Sequence, residues 1–133
     1  MSPREAVAAP ADSPTDLAEQ LLTEHGLAWT AGLPPRASAA ERRDALLTGL
    51  MEVYRLTSSP AAFDLLASLG SAQLMRRVRL RSRHLGERVD PNEILQDALV
   101  NICRYPRRFD ARRPNAFSVW SATIVDNAIR RHL

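Results

Sequence analysis

The sequence predicts an all-α fold: a compact bundle of about four to five helices with a flexible N-terminal tail. Three observations predict it. Apolar residues recur three or four apart in each patterned stretch, which is the helical period. Turn-forming residues at Gly26, Gly32 to Pro35, Thr57 to Pro60 and Gly86 cut the chain into helix-length pieces. No stretch of useful length alternates as a strand would, and no internal repeat is visible. A length of 133 residues allows one helical domain plus a tail.

Residues 1 to about 14 are rich in Ala, Pro and Ser and are expected to be disordered. Thr15 to Glu24 suits a short helix with Leu17, Leu21 and Leu22 on one face and Gly26 as its stop. Leu27 and Trp29 follow, apolar residues that need a surface, on their own domain or on a partner. Ser38 and Glu41 form a capping box for a helix whose stripe is Leu46, Leu47, Leu50, Met51 and Tyr54, slightly weakened by Gly49. Ser59-Pro60 opens the next helix, with Phe63, Leu66 and Leu69 inside and Gly70 as its end. A longer helix is expected from Ser71 to about Leu85, carrying Leu74, Met75 and Val78 among five arginines between Arg76 and Arg83. Those arginines circle more than one face, so most are expected to be solvated or ion-paired. The organisation read from this is an extension over 1–37, an additional helix over 38–58 and a domain over 59–133.

Asp90 to Leu133 is the most patterned stretch. Asp90 can cap a helix, Pro91 suits its first position, and Glu93 stands where a capping-box partner would reach back. Ile94, Leu95, Ala98, Leu99, Ile102 and Cys103 make one broad apolar stripe, so Cys103 reads as core. The other side carries Glu93, Gln96, Asp97 and Arg104, with Val100 among them. Pattern alone favours a solvated surface there; Val100, an apolar side chain beside acceptors, points towards a partner. A second helix starts near Pro114 or Asn115, with Phe117, Trp120, Ile124 and Ala128 as its buried stripe. Arg130 and Arg131 at its end serve either the helix dipole or a polyanion. Between the helices, Arg104, Arg107, Arg108, Arg112 and Arg113 lie on a loop, where guanidinium groups can follow phosphates.

Charge agrees with a polyanion partner. The net charge is only +3, but residues 1–75 hold five Arg against nine acids, and residues 76–133 hold thirteen Arg against six. All 18 basic residues are Arg. His25, His84, His132 and the single Cys103 have no metal-ligand spacing, and no phosphate-binding glycine loop or nucleophile elbow is present. The expectation is a protein without catalytic residues, metal or cofactor. No apolar run approaches a membrane span, no secretory signal opens the chain, and a lone cysteine suits a cytoplasmic protein.

The stretch resembles conserved region two of bacterial RNA polymerase sigma factors of the extracytoplasmic-function type. The matching residues are Asp90 and Glu93, Leu95-Gln96-Asp97, Leu99 and Val100, Arg108-Phe109-Asp110, and Phe117, Trp120, Ile124 and Asn127. Each motif alone is weak; their joint, ungapped register is specific. With Ala62-Phe63 and Arg83-His84-Leu85-Gly86, the resemblance extends back to about Ser59. It implies a domain that binds the clamp of the largest subunit of core RNA polymerase through Glu93, Gln96, Asp97, Val100 and Asn101. It also implies capture of the non-template strand of the minus-ten promoter element, with one base flipped into a pocket. That role falls to Arg108, Arg112, Arg113, Asn115, Trp120, Asn127, Arg130 and Arg131, with Trp120 and Ile124 also holding the helix in place.

The chain departs from the family in two places and stops early. Val125-Asp126-Asn127 stands where Ala-Arg-Asn is usual, and an exposed acid at 126 would repel phosphates; Ser121 stands where Leu is common. The family's helix-turn-helix domain is not in the sequence, which reads either as a fragment or as a sigma-like protein working without it. The first expectation is therefore a sigma domain that binds polymerase and recognises and melts the minus-ten element. The alternative is a sigma-like interaction module that holds polymerase or an anti-sigma partner without opening promoters. A third reading, an unrelated helical DNA-binding protein, needs only the basic half.

Overall fold

A computed structural model describes residues 13–133, and five α-helices carry it. They are α1 (Pro14–Glu24), α2 (Ala39–Thr57), α3 (Pro60–Ser82), α4 (Pro91–Arg104) and α5 (Ala116–Arg131), with short 3-10 turns at Arg83–Arg88 and Pro106–Arg108. No strand occurs among the described residues. The expected tail lies outside the described residues except at its end, where Ser13 and Pro14 start α1. Ser13 Oγ accepts from the Asp16 amide at 3.1 Å.

Caps fix most helix starts. Ser38 Oγ accepts from the Glu41 amide while Glu41 accepts from the Ser38 amide, so the capping box on α2 forms. Ser59 Oγ accepts from the Ala62 amide at 3.2 Å, and Asp90 Oδ1 from the Asn92 amide at 2.9 Å. Glu93 takes no part in a capping box and is left exposed.

One apolar core runs through all five helices. Leu22 of α1, Leu47, Leu50 and Met51 of α2, Leu66 and Leu74 of α3, Ile94 and Ile102 of α4, and Phe117 and Val125 of α5 are almost completely buried in it. Each such side chain contributes about 1.5–3 kcal/mol by leaving water. Leu27 and Trp29 are partly buried against the same cluster, so the apolar residues after α1 dock on their own domain.

The expected break at Gly70 does not occur: α3 continues from Pro60 to Ser82. Gly70 is buried mid-helix, and a Cβ there would sit 3.6 Å from Leu47 Cδ2 and 3.8 Å from the Phe117 ring. Those are ordinary contact distances, so the packing of α2 and α5 on α3 does not require a glycine there, and the helix simply runs through it. The true stop comes at Gly86, whose φ of 59° an L-residue seldom adopts.

Two stripe assignments also shift. Cys103 is exposed, because the buried line of α4 is Ile94, Ala98 and Ile102, and the next residue turns outwards at the helix end. There the Tyr54 hydroxyl donates to the Cys103 carbonyl at 2.8 Å and lies 3.2 Å from its Sγ, tying α4 to α2. That contact pushes the Tyr54 phenol up to about 12. In α5 the buried line is Phe117, Ser121, Val125, Ala128 and Ile129, so Trp120 and Ile124 flank the core and stay half-exposed.

Candidate functional site

The N-terminus of α5 is held from a distance. Asn115, its N-cap residue, sits at φ 50° and gives no side-chain cap. Two free amides of the first turn are satisfied by α2 instead. Thr48 Oγ1 accepts from the Phe117 amide at 3.1 Å, and Asp44 Oδ1 from the Ser118 amide at 2.8 Å and from the Ser118 hydroxyl. A buried carboxylate at a helix N-terminus also complements the dipole. The local sign of this role was a polar pair one turn apart, Asp44 and Thr48, beside an apolar helical stripe.

Helix α5 is stitched to α3 along its other side. Gln73 Nε2 donates to Ser118 Oγ at 3.1 Å, and Arg77 Nη2 to Asp126 Oδ2 at 3.1 Å. Arg81 Nε stands 3.4 Å from Asp126 Oδ1, a charge contact without hydrogen-bond alignment. Asp126 is thus flanked by two guanidinium groups, and the repulsion expected of a bare acid there is offset.

The loop between α4 and α5 is anchored by Phe109, 3 % exposed, whose ring meets Trp120 edge-on at 5.2 Å between centres. Anchoring Phe109 leaves Arg108 exposed on one side and Asp110 half-buried on the other. Asp110 organises the rest. Its carboxylate accepts from the Arg112 amide at 3.0 Å and from Arg112 Nε and Nη2 at 3.0 and 3.2 Å, with Arg113 Nε 3.8 Å away. The two arginine side chains nonetheless remain 91 and 79 % exposed.

Hydrogen bonds from the Arg112 side chain and amide hold the Asp110 carboxyl down at about 2, from an ordinary 3.8. A depressed folded-state pKa means that the clamp is fully present above the ordinary carboxylate range and is lost as pH falls through about 2. A carboxyl-detected NMR titration is expected to place the Asp110 midpoint near 2, and Arg112→Ala to return it towards 3.8. An unshifted Asp110 in the parent chain would mean that the clamp is absent in solution.

The candidate residues of α4 fall into two groups. Glu93, Gln96 and Val100 form an open surface, Val100 being 45 % exposed. Asp97 and Asn101 turn towards the end of α5. Asn101 Nδ2 donates to Asp97 Oδ1 at 3.0 Å, and Asp97 Oδ2 accepts from Arg131 Nη2 at 3.1 Å with His132 Nε2 at 3.4 Å. Next to this network is a cleft of about 330 Å³ walled by Asn101, Tyr105, Arg108, Trp120, Ile124, Asn127 and Arg131. Five of the candidate residues thus meet in one place. Arg112, Arg113 and Asn115 lie on the far side of the loop, and Arg130 is exposed at the end of α5.

Such a cleft offers amide donors and acceptors, an aromatic flank and cations. It suits a flat polar group with an adjoining anion. Among the described residues no group of three or more His, Cys, Asp or Glu is placed to hold a metal ion, and no helix is long and apolar enough to cross a membrane.

Residues 72–133 match the family model for sigma-70 region 2. The match begins within α3 and takes in α4, the arginine loop and α5; α1 and α2 precede it. No curated protein and no solved structure matches the chain.

Proposed function

We infer that residues 72–133, which match the sigma-70 region 2 model, act as such a domain and that the chain binds core RNA polymerase and recognises promoter DNA. It acts by binding, without catalysis or cofactor, in the cytoplasm. The open face of α4, with Glu93, Gln96 and Val100, docks on the clamp of the largest polymerase subunit. Arginines on the clamp pair with Glu93, and Val100 adds apolar contact.

The cleft beside Trp120 receives a flipped base of the non-template minus-ten strand. Asn101 and Asn127 offer hydrogen bonds to its edge, Trp120 a flat surface, and Arg108 and Arg131 charge for the neighbouring phosphates. Holding that base out of the stack favours the open duplex, which is melting. The observation that carries this reading is the convergence of Asn101, Arg108, Trp120, Asn127 and Arg131 on one cleft next to an open α4 face. The ungapped motif register supports placement in the extracytoplasmic-function type. The interaction-module alternative drew on Asp126 and on the absence of a helix-turn-helix domain from the sequence, and the Arg77 and Arg81 contacts offset only the first of these. An anti-sigma partner remains a candidate for the same α4 face.

Selection from a random single-stranded DNA pool with the chain bound to core polymerase tests the strand reading. One dominant motif is expected, with its complement bound about tenfold more weakly, as loss of base readout would give. Equal binding of both strands would sink it.

A further inference from the structure

The apolar segment after α1 precedes the sigma match, yet it lies beside the arginine loop. Leu27, Trp29 and Leu33 line one part of a groove of about 640 Å³ that Arg112, Arg113 and Asn115 also line. Trp29 is half-buried, and Arg42 Cζ stands 5.6 Å from its ring centre. Arg42 is not among the groove walls, so that cation leaves the groove itself open.

Helix α2 contributes acids to the same groove, and each already has a partner. Glu41 accepts from the Ser38 amide at 2.9 Å, Asp44 from the Ser118 amide at 2.8 Å, and Glu52 from Arg55 Nε at 2.6 Å. The charges are therefore divided: carboxylates on the α2 side, and on the loop side two exposed guanidinium groups that share the one Asp110 carboxylate and keep a net positive charge. A phosphate is repelled by the first and drawn to the second. The space between suits a neutral, flat group with hydrogen-bonding edges.

We propose that this groove takes a second unstacked base of the single-stranded DNA, stacked on Trp29, with Arg112 and Arg113 holding its flanking phosphates. The proposal rests on the strand-binding reading above and extends the DNA surface to a segment outside the sigma match. Arg108 faces the first cleft and Arg112 and Arg113 the second groove, so a strand passing over the loop meets both in turn.

The test is photocrosslinking. The full chain bound to core polymerase is mixed with a single-stranded DNA pool carrying 5-iodouracil, irradiated, and the crosslinked peptides of the chain are mapped by mass spectrometry. Crosslinks are expected in residues 27–34 as well as in the loop and α5. Trp29→Ala is expected to weaken strand binding about tenfold, within the range for base–aromatic stacking, and Trp29→Phe to retain most of it. Crosslinks confined to the loop and α5, with Trp29→Ala binding as the parent does, would overturn the groove proposal and leave the sigma reading standing. No crosslink to the chain, with polymerase bound, would overturn both. If Trp29→Ala fails to fold, the crosslink map of the parent chain decides.

Discussion

Asp44→Ala is expected to lower folding stability by about 2 to 3 kcal/mol, read as a shift of the urea midpoint at unchanged slope. The substitution strips the acceptor from the Ser118 amide and hydroxyl, and the carboxylate from the α5 N-terminus, at a site only 8 % exposed. Loss of a helix cap alone costs about 1 kcal/mol; the remainder comes from leaving a half-buried amide without a partner. Asp44→Asn keeps an acceptor and is expected to cost about 1 kcal/mol. A midpoint unmoved by Asp44→Ala would show that α5 is not held from α2. The consequence reaches the site, because the first turn of α5 adjoins the arginine loop. Helix α2 precedes the matched domain and yet fixes the start of its most important helix.

Removing Arg112 and Arg113 together is expected to weaken single-stranded DNA binding about tenfold at low salt, without changing which motif is selected. Both are exposed loop cations and so serve as phosphate contacts rather than base readers. Each phosphate contact contributes about 0.7 to the slope of log affinity against log salt for a single strand, so the slope is expected to flatten by about 1.4. Asp110 would lose its partners and add repulsion. A salt slope unchanged in the double variant would remove the loop from the phosphate path.

The local parts of this structure were legible in the sequence. The capping box at Ser38, the apolar line Ile94, Ala98 and Ile102, and an arginine-rich loop between the last two helices follow from spacing and cap chemistry alone. The errors were errors of context. Gly70 read as a stop because glycine often ends a helix, but α3 carries it in mid-helix, buried among neighbours from other helices that spacing alone does not reveal. Trp120 and Ile124 read as core because period and apolarity fit, but the buried line lies one position on, at Ser121 and Val125. A small polar residue at 121 hid that line from a reading based on hydrophobicity.

The partners of the long-range polar contacts were not legible. Nothing near Asp44 names Ser118 as its partner, and nothing near Asp126 names Arg77 and Arg81; each pair is distant in sequence and joined only by helix packing. The same holds for the candidate site. Asn101, Arg108, Asn127 and Arg131 were visible one by one, whereas their convergence on one cleft is a property of the α4–α5 crossing. The salt bridge from Asp97 to Arg131 joins a residue expected to face polymerase with one expected to face DNA, which makes Asp97 a poor probe of either role.

Glu93 and Gln96 are the better probes, since both are exposed and neither side chain has a partner among the described residues. The most direct measurement is therefore binding of the chain to core RNA polymerase, beside a Glu93→Ala, Gln96→Ala double variant of unchanged thermal stability. Binding by the parent, weakened about tenfold or more in the variant, is the expected result. A folded parent chain that fails to bind at micromolar concentration would contradict the sigma function, and equal binding by the two would contradict the assignment of polymerase docking to α4.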